Sequence, residues 1–355
     1  MKRGFSLVEL LVAIIILLVI LGGVYAFFVN FIDQLELQRK KAEVLKEARL
    51  AFRVLEDDIK HAGFALPSEV EKNAADCSSG KGVCRFAVYR CDKYSNPTHD
   101  PTFCIDQTSV FFIADGWRII QDWTNDNCPD GNISEEDYEF LADVMSNGGF
   151  FSKVVGYGGS KNIEIDKVDI DNKSVSTITF CGSTGSADER ARDYWVNHAF
   201  IVCGCTNNAG NYGQEGRRIA SISSTPSGYV LGFYSKSEVL GYKWCNPTES
   251  KVVPAIVWYV AEDPQTGIVW LWRNGRKVLP NVEFFKVHVG YDFNSNGIVE
   301  ETEWMNAEDF SPNASISAQN PSLCLRFFWF EIYVSFDWKG KRYTVKYRER
   351  VDTLP

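Results

Sequence analysis

The chain predicts an α+β protein. Its parts are a long N-terminal helix packed on a C-terminal antiparallel β-sheet, and a large disulfide-rich β insertion. Three observations carry this expectation. From Leu10 to Val29, 20 consecutive residues lack charge or strong polarity. Ala42, Leu45, Ala48, Phe52, Leu55 and Ile59 then recur at spacings of three and four, one face of a helix. In the last third, alternating aromatic and β-branched residues run in segments separated by short turn signals.

The first element is a membrane crosser. A run of 20 apolar residues at about 1.5 Å each matches a hydrocarbon layer of about 30 Å. Lys2 and Arg3 precede it and are expected to hold the N-terminus on the cytoplasmic side. The segment is not built as an ordinary secretory signal. Val24-Tyr25-Ala26-Phe27-Phe28 at its far end is a poor signal-peptidase site, and the small residue, Gly4, lies before the apolar run. Glu9 is the exception to the pattern, because a carboxylate at the lip of an apolar span is costly unless paired.

Gly4, then Phe5, then Glu9 as the fifth residue after the glycine, then an aliphatic helix, closely resembles the type IV prepilin N-terminus. The resemblance implies that residues 1–4 are a leader removed by a prepilin peptidase between Gly4 and Phe5. It further implies N-methylation of Phe5 and a role for Glu9 as the assembly carboxylate. A freed amine and a buried carboxylate on neighbouring subunits can neutralise each other inside a helical bundle.

From Asn30 the helix turns amphipathic and continues to about Ala62. Residues 5–62 would then form one element about 87 Å long, with a transmembrane half over 5–29 and an amphipathic half over 30–62. Arg39, Lys40, Lys41, Glu43, Lys46, Glu47, Arg49, Arg53, Glu56, Asp57 and Lys60 fill the polar positions. Gly63 supplies a C-cap and Pro67 follows it. The ending LEDDIKHAGFALP is similar to that of PilW-type minor pilins and of type II secretion pseudopilins.

Residues 63–250 read as a cysteine-rich, irregular β region. Cys77, Cys84, Cys91, Cys104, Cys128, Cys181, Cys203, Cys205 and Cys245 lie here, and Cys324 follows. Ten cysteines beyond a membrane crossing predict structural disulfides in an oxidising compartment. No recurring CxxC or Cys/His spacing supports zinc, and Cys203 and Cys205 are expected to find separate partners. Candidate strands are Ser109 to Ala114, Ser176 to Cys181, Ala199 to Cys203, Arg218 to Ser223 and Tyr229 to Tyr234. The loop 126–137 has acidic groups and a glycine at calcium-loop positions, but Cys128 replaces an oxygen ligand and Pro129 stiffens the turn. A disulfide-tethered acidic turn is the favoured reading there.

Residues 251–355 are expected to form the antiparallel sheet. Ala255 to Ala261 and Gly267 to Trp272 form a hairpin and Val282 to Tyr291 follows. Leu325 to Trp338 pairs with Arg342 to Val351 across Lys339-Gly340-Lys341. Between them, residues 292–303 match the spacing D-x-[DN]-x-[DN]-G-x₅-E. Asp292, Asn294 and Asn296 offer side-chain oxygens, Ile298 its carbonyl, Glu300 a direct or water-mediated contact, and Glu303 two oxygens. This set predicts calcium in an EF-like loop on a sheet. The order of helix, strands, loop and final hairpin again resembles PilW-type minor pilins.

Charge and motifs exclude several classes. With 37 Lys and Arg against 46 Asp and Glu the net charge is −9, and loss of Lys2 and Arg3 takes it to −11, against general binding to nucleic-acid phosphates. No G-x-S-x-G, P-loop, HExxH or dinucleotide fingerprint is present, so a non-enzymatic role is expected. The resemblance implies a minor pilin taking part in pilus assembly or tip adhesion. Its partners would be prepilin peptidase, other pilins through the helix and the inner membrane before assembly. The body would lie in the periplasm and then on the pilus. Two further readings are a type II secretion pseudopilin acting in the periplasm, and a pilus-borne module that recognises a surface, a glycan or DNA.

Overall fold

In a computed structural model of the chain, the residues described are 7–62, 86–91, 104–105, 107–114, 152–157, 162–166, 199–206, 212–225, 228–233, 251–291, 300, 304–306 and 325–352. Helix α1 runs unbroken over Leu7–Lys60, 54 residues or about 81 Å. Leu, Ala, Glu, Lys and Arg, all of low helical cost, are frequent in it. Lys60 in the last turn pairs with Glu56 at 2.7 Å and complements the carbonyl end of the helix.

Two strands follow, β1 (Phe86–Arg90) and β2 (Ser109–Ala114), antiparallel with Phe86 opposite Ile113. Cys91 and Cys104 close the connection between them with a disulfide, and Cys91 N–H donates to the Thr108 carbonyl at 2.8 Å. A covalent loop of this length is worth about 3 kcal/mol. It is the disulfide found among the described residues. Cys203 and Cys205 lie on a strand described below, and Cys77, Cys84, Cys128, Cys181, Cys245 and Cys324 fall outside the described residues. So do the expected strand at 176–181 and the loop 126–137.

Five strands are inserted before the chain returns: β3 (Ser152–Tyr157), β4 (Asn162–Asp166), β5 (Ala199–Thr206), β6 (Tyr212–Thr225) and β7 (Gly228–Phe233). Strand β8 (Lys251–Glu262) then uses both of its edges twice. Its first residues pair with β3 on one side, Ser152 opposite Val252, and with β5 on the other, from Cys203 opposite Lys251 to Ala199 opposite Ala255. Through β3–β4, β4–β7, β7–β6 and β6–β5 the pairing closes into a ring of six antiparallel strands. The closure runs through β3 and β6, each of which pairs with one neighbour along its first residues and with the other along its last.

The second part of β8 belongs to a wing. It pairs with β2 from Ala255 to Trp258 and with β9 (Val269–Arg273) from Trp258 to Glu262. Strand β10 (Arg276–Pro280) pairs with β9 across Asn274-Gly275, whose φ values of 45° and 75° are those of a type I′ hairpin turn. At the β8–β9 turn, buried Asp263 accepts from Thr266 Oγ1 at 2.5 Å and from Lys277 Nζ at 2.7 Å. Lys277 first, then Thr266, holds this carboxyl below its usual range.

The last four strands form a separate sheet in the order β12-β11-β13-β14: β11 (Val282–Tyr291), β12 (Trp304–Asn306), β13 (Leu325–Trp338) and β14 (Lys341–Asp352). Residues 251–355 therefore contribute to two sheets where one was expected. The expected final hairpin is present, turning through Lys339-Gly340 with φ values of 50° and 72°. Its alternation also holds: Tyr343, Val345 and Tyr347 are half-buried while Arg342, Thr344, Lys346 and Arg348 are exposed.

One core joins α1, the wing and this sheet. Phe111 of the wing meets Phe328 and Phe330 of the sheet with ring centroids 5.2 and 5.7 Å apart, and Phe52 of α1 meets Phe330 at 5.9 Å. Ser109 Oγ accepts from Val287 N–H at 3.1 Å across the gap between sheets. Trp258, Phe111, Phe285, Phe328, Phe330 and Leu55 are the largest fully buried side chains.

Candidate functional site

The lower half of α1 is built to be covered by something outside the subunit. Every large apolar side chain from Leu10 to Val29 is exposed, and the helix is long and apolar enough to cross a membrane. Burial of one such side chain is worth about 1.5–3 kcal/mol, so leaving the whole run in water costs tens of kcal/mol. Lipid or a bundle of like helices removes that cost.

The upper half is docked. Ala48, Ala51, Phe52, Leu55, Ile59 and Ala62 are buried against the body, and α1 packs on β10, β13 and β14. Of the expected face, Ala48, Phe52, Leu55 and Ile59 are in the core, Leu45 is half-buried, and Ala42 stays exposed. Lys41 beside it reaches the Tyr343 ring and Asp33 further down pairs with Lys339, so Ala42 lies within the covered length but off the covered face.

The junction is polar at its centre. Asp58 is 3% exposed and Arg273 7%. Arg273 Nε donates to Asp58 Oδ2 at 2.7 Å and its Nη2 to Oδ1 at 2.6 Å, a two-pronged pairing, while Trp258 Nε1 donates to Oδ2 at 2.8 Å. Trp258 and Arg273 are register partners on β8 and β9, and the guanidinium carbon lies 5.9 Å from the Trp258 ring centroid. A buried charge pair adds little net stability over an apolar contact, but a misplaced one is expensive, so it selects one docking of the helix. Sequence reasoning missed this group. The available signal was spacing: Asp58 stands three after Leu55 and four before Ala62, on the buried stripe.

The far face of the last sheet holds a second charged cluster. Glu331 accepts from Tyr333 OH at 2.6 Å and pairs with Lys346, with Arg348 at 3.4 Å and His288 Nε2 at 3.6 Å. Burial alone would raise the Glu331 pKa, yet Lys346, Tyr333 and Arg348 outweigh it and hold it at about 2. Burial, then the Lys286 charge, lowers His288 against the opposing pull of Glu331.

The expected site residues are placed unevenly. Gly4 and Phe5 lie outside the described residues, and Glu9 lies in the third position of α1 as described. The calcium-type loop connects β11 to β12, with Gly290 opposite Trp304 where the strands close. Glu300 is exposed, whereas Asp292, Asn294, Asn296, Ile298 and Glu303 fall outside the described residues. No group of three or more potential metal-ligating side chains occurs among the described residues.

Residues 1–25 match the family model described as the prokaryotic N-terminal methylation motif. Neither a curated protein nor a solved structure matches the chain. The motif implies processing by prepilin peptidase and assembly with other pilins, and its position on an apolar helix fits a membrane-anchored subunit. The motif at the head of α1, with the exposed apolar half that follows and the docked half beyond it, supports a type IV pilin-like protein.

Proposed function

We propose that the protein is a low-copy minor pilin whose body sits at the end of a filament. The observation that supports this reading is the ring inserted between β2 and β8. Docking of α1 draws on β10, β13, β14 and the Asp58 junction, and the ring adds bulk to a body already complete around the helix. A shaft that repeats one subunit closely favours a narrow head, whereas an end position leaves the bulk unopposed. Antibody against residues 115–250 is expected to label filaments at one end; uniform labelling along the shaft overturns the minor-pilin reading.

The processing and assembly roles follow the same reading. Mass spectrometry of membrane-extracted protein is expected to find methylated Phe5 as the first residue. Glu9→Val is expected to leave insertion intact and to reduce incorporation into filaments, because the neighbour's amine loses its carboxylate. Calcium belongs to the proposal as a brace on the β11–β12 connection. A ligand that binds only the folded state adds about 2.7 kcal/mol at a hundredfold excess over Kd. Asp292→Ala and Glu303→Ala are each expected to abolish a calcium-dependent rise in Tm that Asp126→Ala retains.

A further inference from the structure

The β13–β14 hairpin descends beside α1 toward its membrane-spanning half. Phe52 meets Phe330 at 5.9 Å and Tyr347 at 5.1 Å, Lys41 Nζ lies 5.8 Å from the Tyr343 centroid, and Lys339 at the turn pairs with Asp33 at 2.5 Å. From Phe52 to Asp33 the helix covers about 28 Å, and from Tyr347 to Lys339 the strand pair covers about 26 Å. The two distances agree, so hairpin and helix run side by side. Asp33 lies four residues past Val29, about 6 Å along the axis, and each headgroup layer is about 5–7 Å thick. The turn stands at headgroup depth.

Its composition suits that depth. Phe336 stacks on Tyr343 at 5.7 Å, Trp338 meets Tyr343 edge-on at 6.2 Å, and all three are half-buried. Lys339 Nζ lies 5.0 Å from the Trp338 centroid. Lys339, Lys341 and Arg342 are exposed, with Asp337 as the acid among residues 337–343. Arg342 also reaches Glu283 at 3.0 Å and donates to Ser335 Oγ at 2.9 Å, and Glu36 is exposed on α1 nearby in sequence. Aromatic rings with a polar edge and long basic side chains settle where hydrocarbon meets headgroups.

We propose that the β13–β14 turn is a foot that rests in the headgroup layer of the leaflet facing the body, with Trp338 and Tyr343 at the interface and Lys339, Lys341 and Arg342 against the phosphates of anionic phospholipid. This rests on the reading of residues 10–29 as a membrane span. The cations complement lipid phosphate, and the site continues directly from the span. Removal of the helix from the bilayer during assembly would lift the foot as well.

The test uses the full-length chain in vesicles of phosphatidylcholine with or without phosphatidylglycerol, with headgroup-proximal dibrominated acyl chains as quencher. Ten tryptophans contribute, so the informative quantity is the difference between the parent and Trp338→Phe. Trp258, hydrogen-bonded to Asp58, stands about 43 Å beyond Val29 along the helix and out of reach. Quenching is expected in the parent, to be stronger with brominated phosphatidylglycerol than with brominated phosphatidylcholine, and to be lost in large part in Trp338→Phe. A Lys339→Gln, Lys341→Gln, Arg342→Gln variant is expected to keep insertion and near-UV dichroism while its preference for brominated phosphatidylglycerol falls to none. Equal quenching in parent and Trp338→Phe, in protein that resists carbonate extraction, overturns the foot and leaves the span standing. Cross-linking of the turn to a second copy in place of quenching also overturns it, as a subunit contact. Extraction of the parent by carbonate instead defeats the span itself.

Discussion

The two halves of α1 share one backbone and meet opposite fates. Between Leu10 and Val29 every large apolar side chain is exposed and no ionisable carboxylate or base interrupts the run. Between Ala48 and Ala62 a single stripe is buried, and its centre is the charge pair of Asp58 with Arg273. Uniform apolarity encodes a partner on all sides, which one subunit cannot supply. A stripe encodes one partner, and the buried charge fixes its orientation. The difference separates what the chain does for itself from what it does with others.

The largest effect is expected at the junction. Asp58→Ala leaves Arg273 buried without its counter-charge, a loss of about 3–5 kcal/mol. Asp58→Leu combined with Arg273→Leu is expected to recover most of it, short by about 1 kcal/mol because Trp258 Nε1 then lacks its acceptor. Urea unfolding of the detergent-solubilised chain, followed by near-UV dichroism, measures both. A double variant as weak as the single one would falsify the orienting role.

Phe52→Ala is expected to destabilise the body by about 3–5 kcal/mol through the cavity it leaves between Phe330 and Tyr347. Ile16→Ala, on a residue 54% exposed, is expected to leave the body's unfolding unchanged and to lower the yield of assembled filaments. If both variants shift body stability alike, the two halves are not distinct.

Acid separates the halves at the next level. Glu331 has its folded pKa lowered to about 2, so its stabilisation is full above the unfolded value near 4.5 and is lost as pH falls from there toward 2. The expected loss is on the order of 2 kcal/mol, reduced from the full shift because Lys346 and Arg348 are partly exposed. His288 has its folded pKa lowered by burial and then by the Lys286 charge, so the unfolded state gains its proton before the folded state does as pH falls below about 6.5. Both groups make the body less stable in acid. Stability measured by urea from pH 7 to pH 3 is expected to fall, and Glu331→Gln to flatten the lower part of the curve. The lower half has no carboxylate, histidine or other base between Leu10 and Val29, and is expected to stay helical and membrane-bound throughout.

The smallest effect marks the boundary. Lys339 and Asp33 pair with side chains 52% and 31% exposed, and such pairs are worth about 1 kcal/mol at most. Asp33→Asn is expected to lower Tm slightly. A loss as large as that of Asp58→Ala would move the boundary of the docked half down the helix.

The ends of the chain were legible in the sequence; in the middle the strands at 109–114, 199–203, 218–223 and 229–233 were legible, but β1, β3, β4 and the pairing of the strands were not. The apolar run, the stripe and the Leu325–Trp338 hairpin each repeat a local period, and local periods need no knowledge of distant partners. Asp58 sat beside Glu56 and Asp57 and looked like one more solvated acid, because its partners stand 200 and 215 residues away. The split into two sheets was hidden for the same reason: β8 pairs with β2, and nothing in chain order makes β2 its neighbour. Strand β10 was missed although Asn274-Gly275 is a strong local hairpin signal; the run Arg276–Pro280 is short, opens on two charges and closes on a proline. In the insertion, β3 and β4 are brief and carry Lys153, Gly156 and Glu164 inside them, so their alternation is broken.

Strand β8 has a mechanical consequence. It is one continuous segment shared by the ring and the wing, and Trp258, which holds Asp58, lies on it. Tension applied to the ring therefore travels along the strand axis. There it meets the ladders with β2 and β9 in shear, where many hydrogen bonds resist together, and passes through Trp258 and Arg273 into α1. A pull on the ring is delivered to the helix by a route that crosses no flexible linker among the described residues.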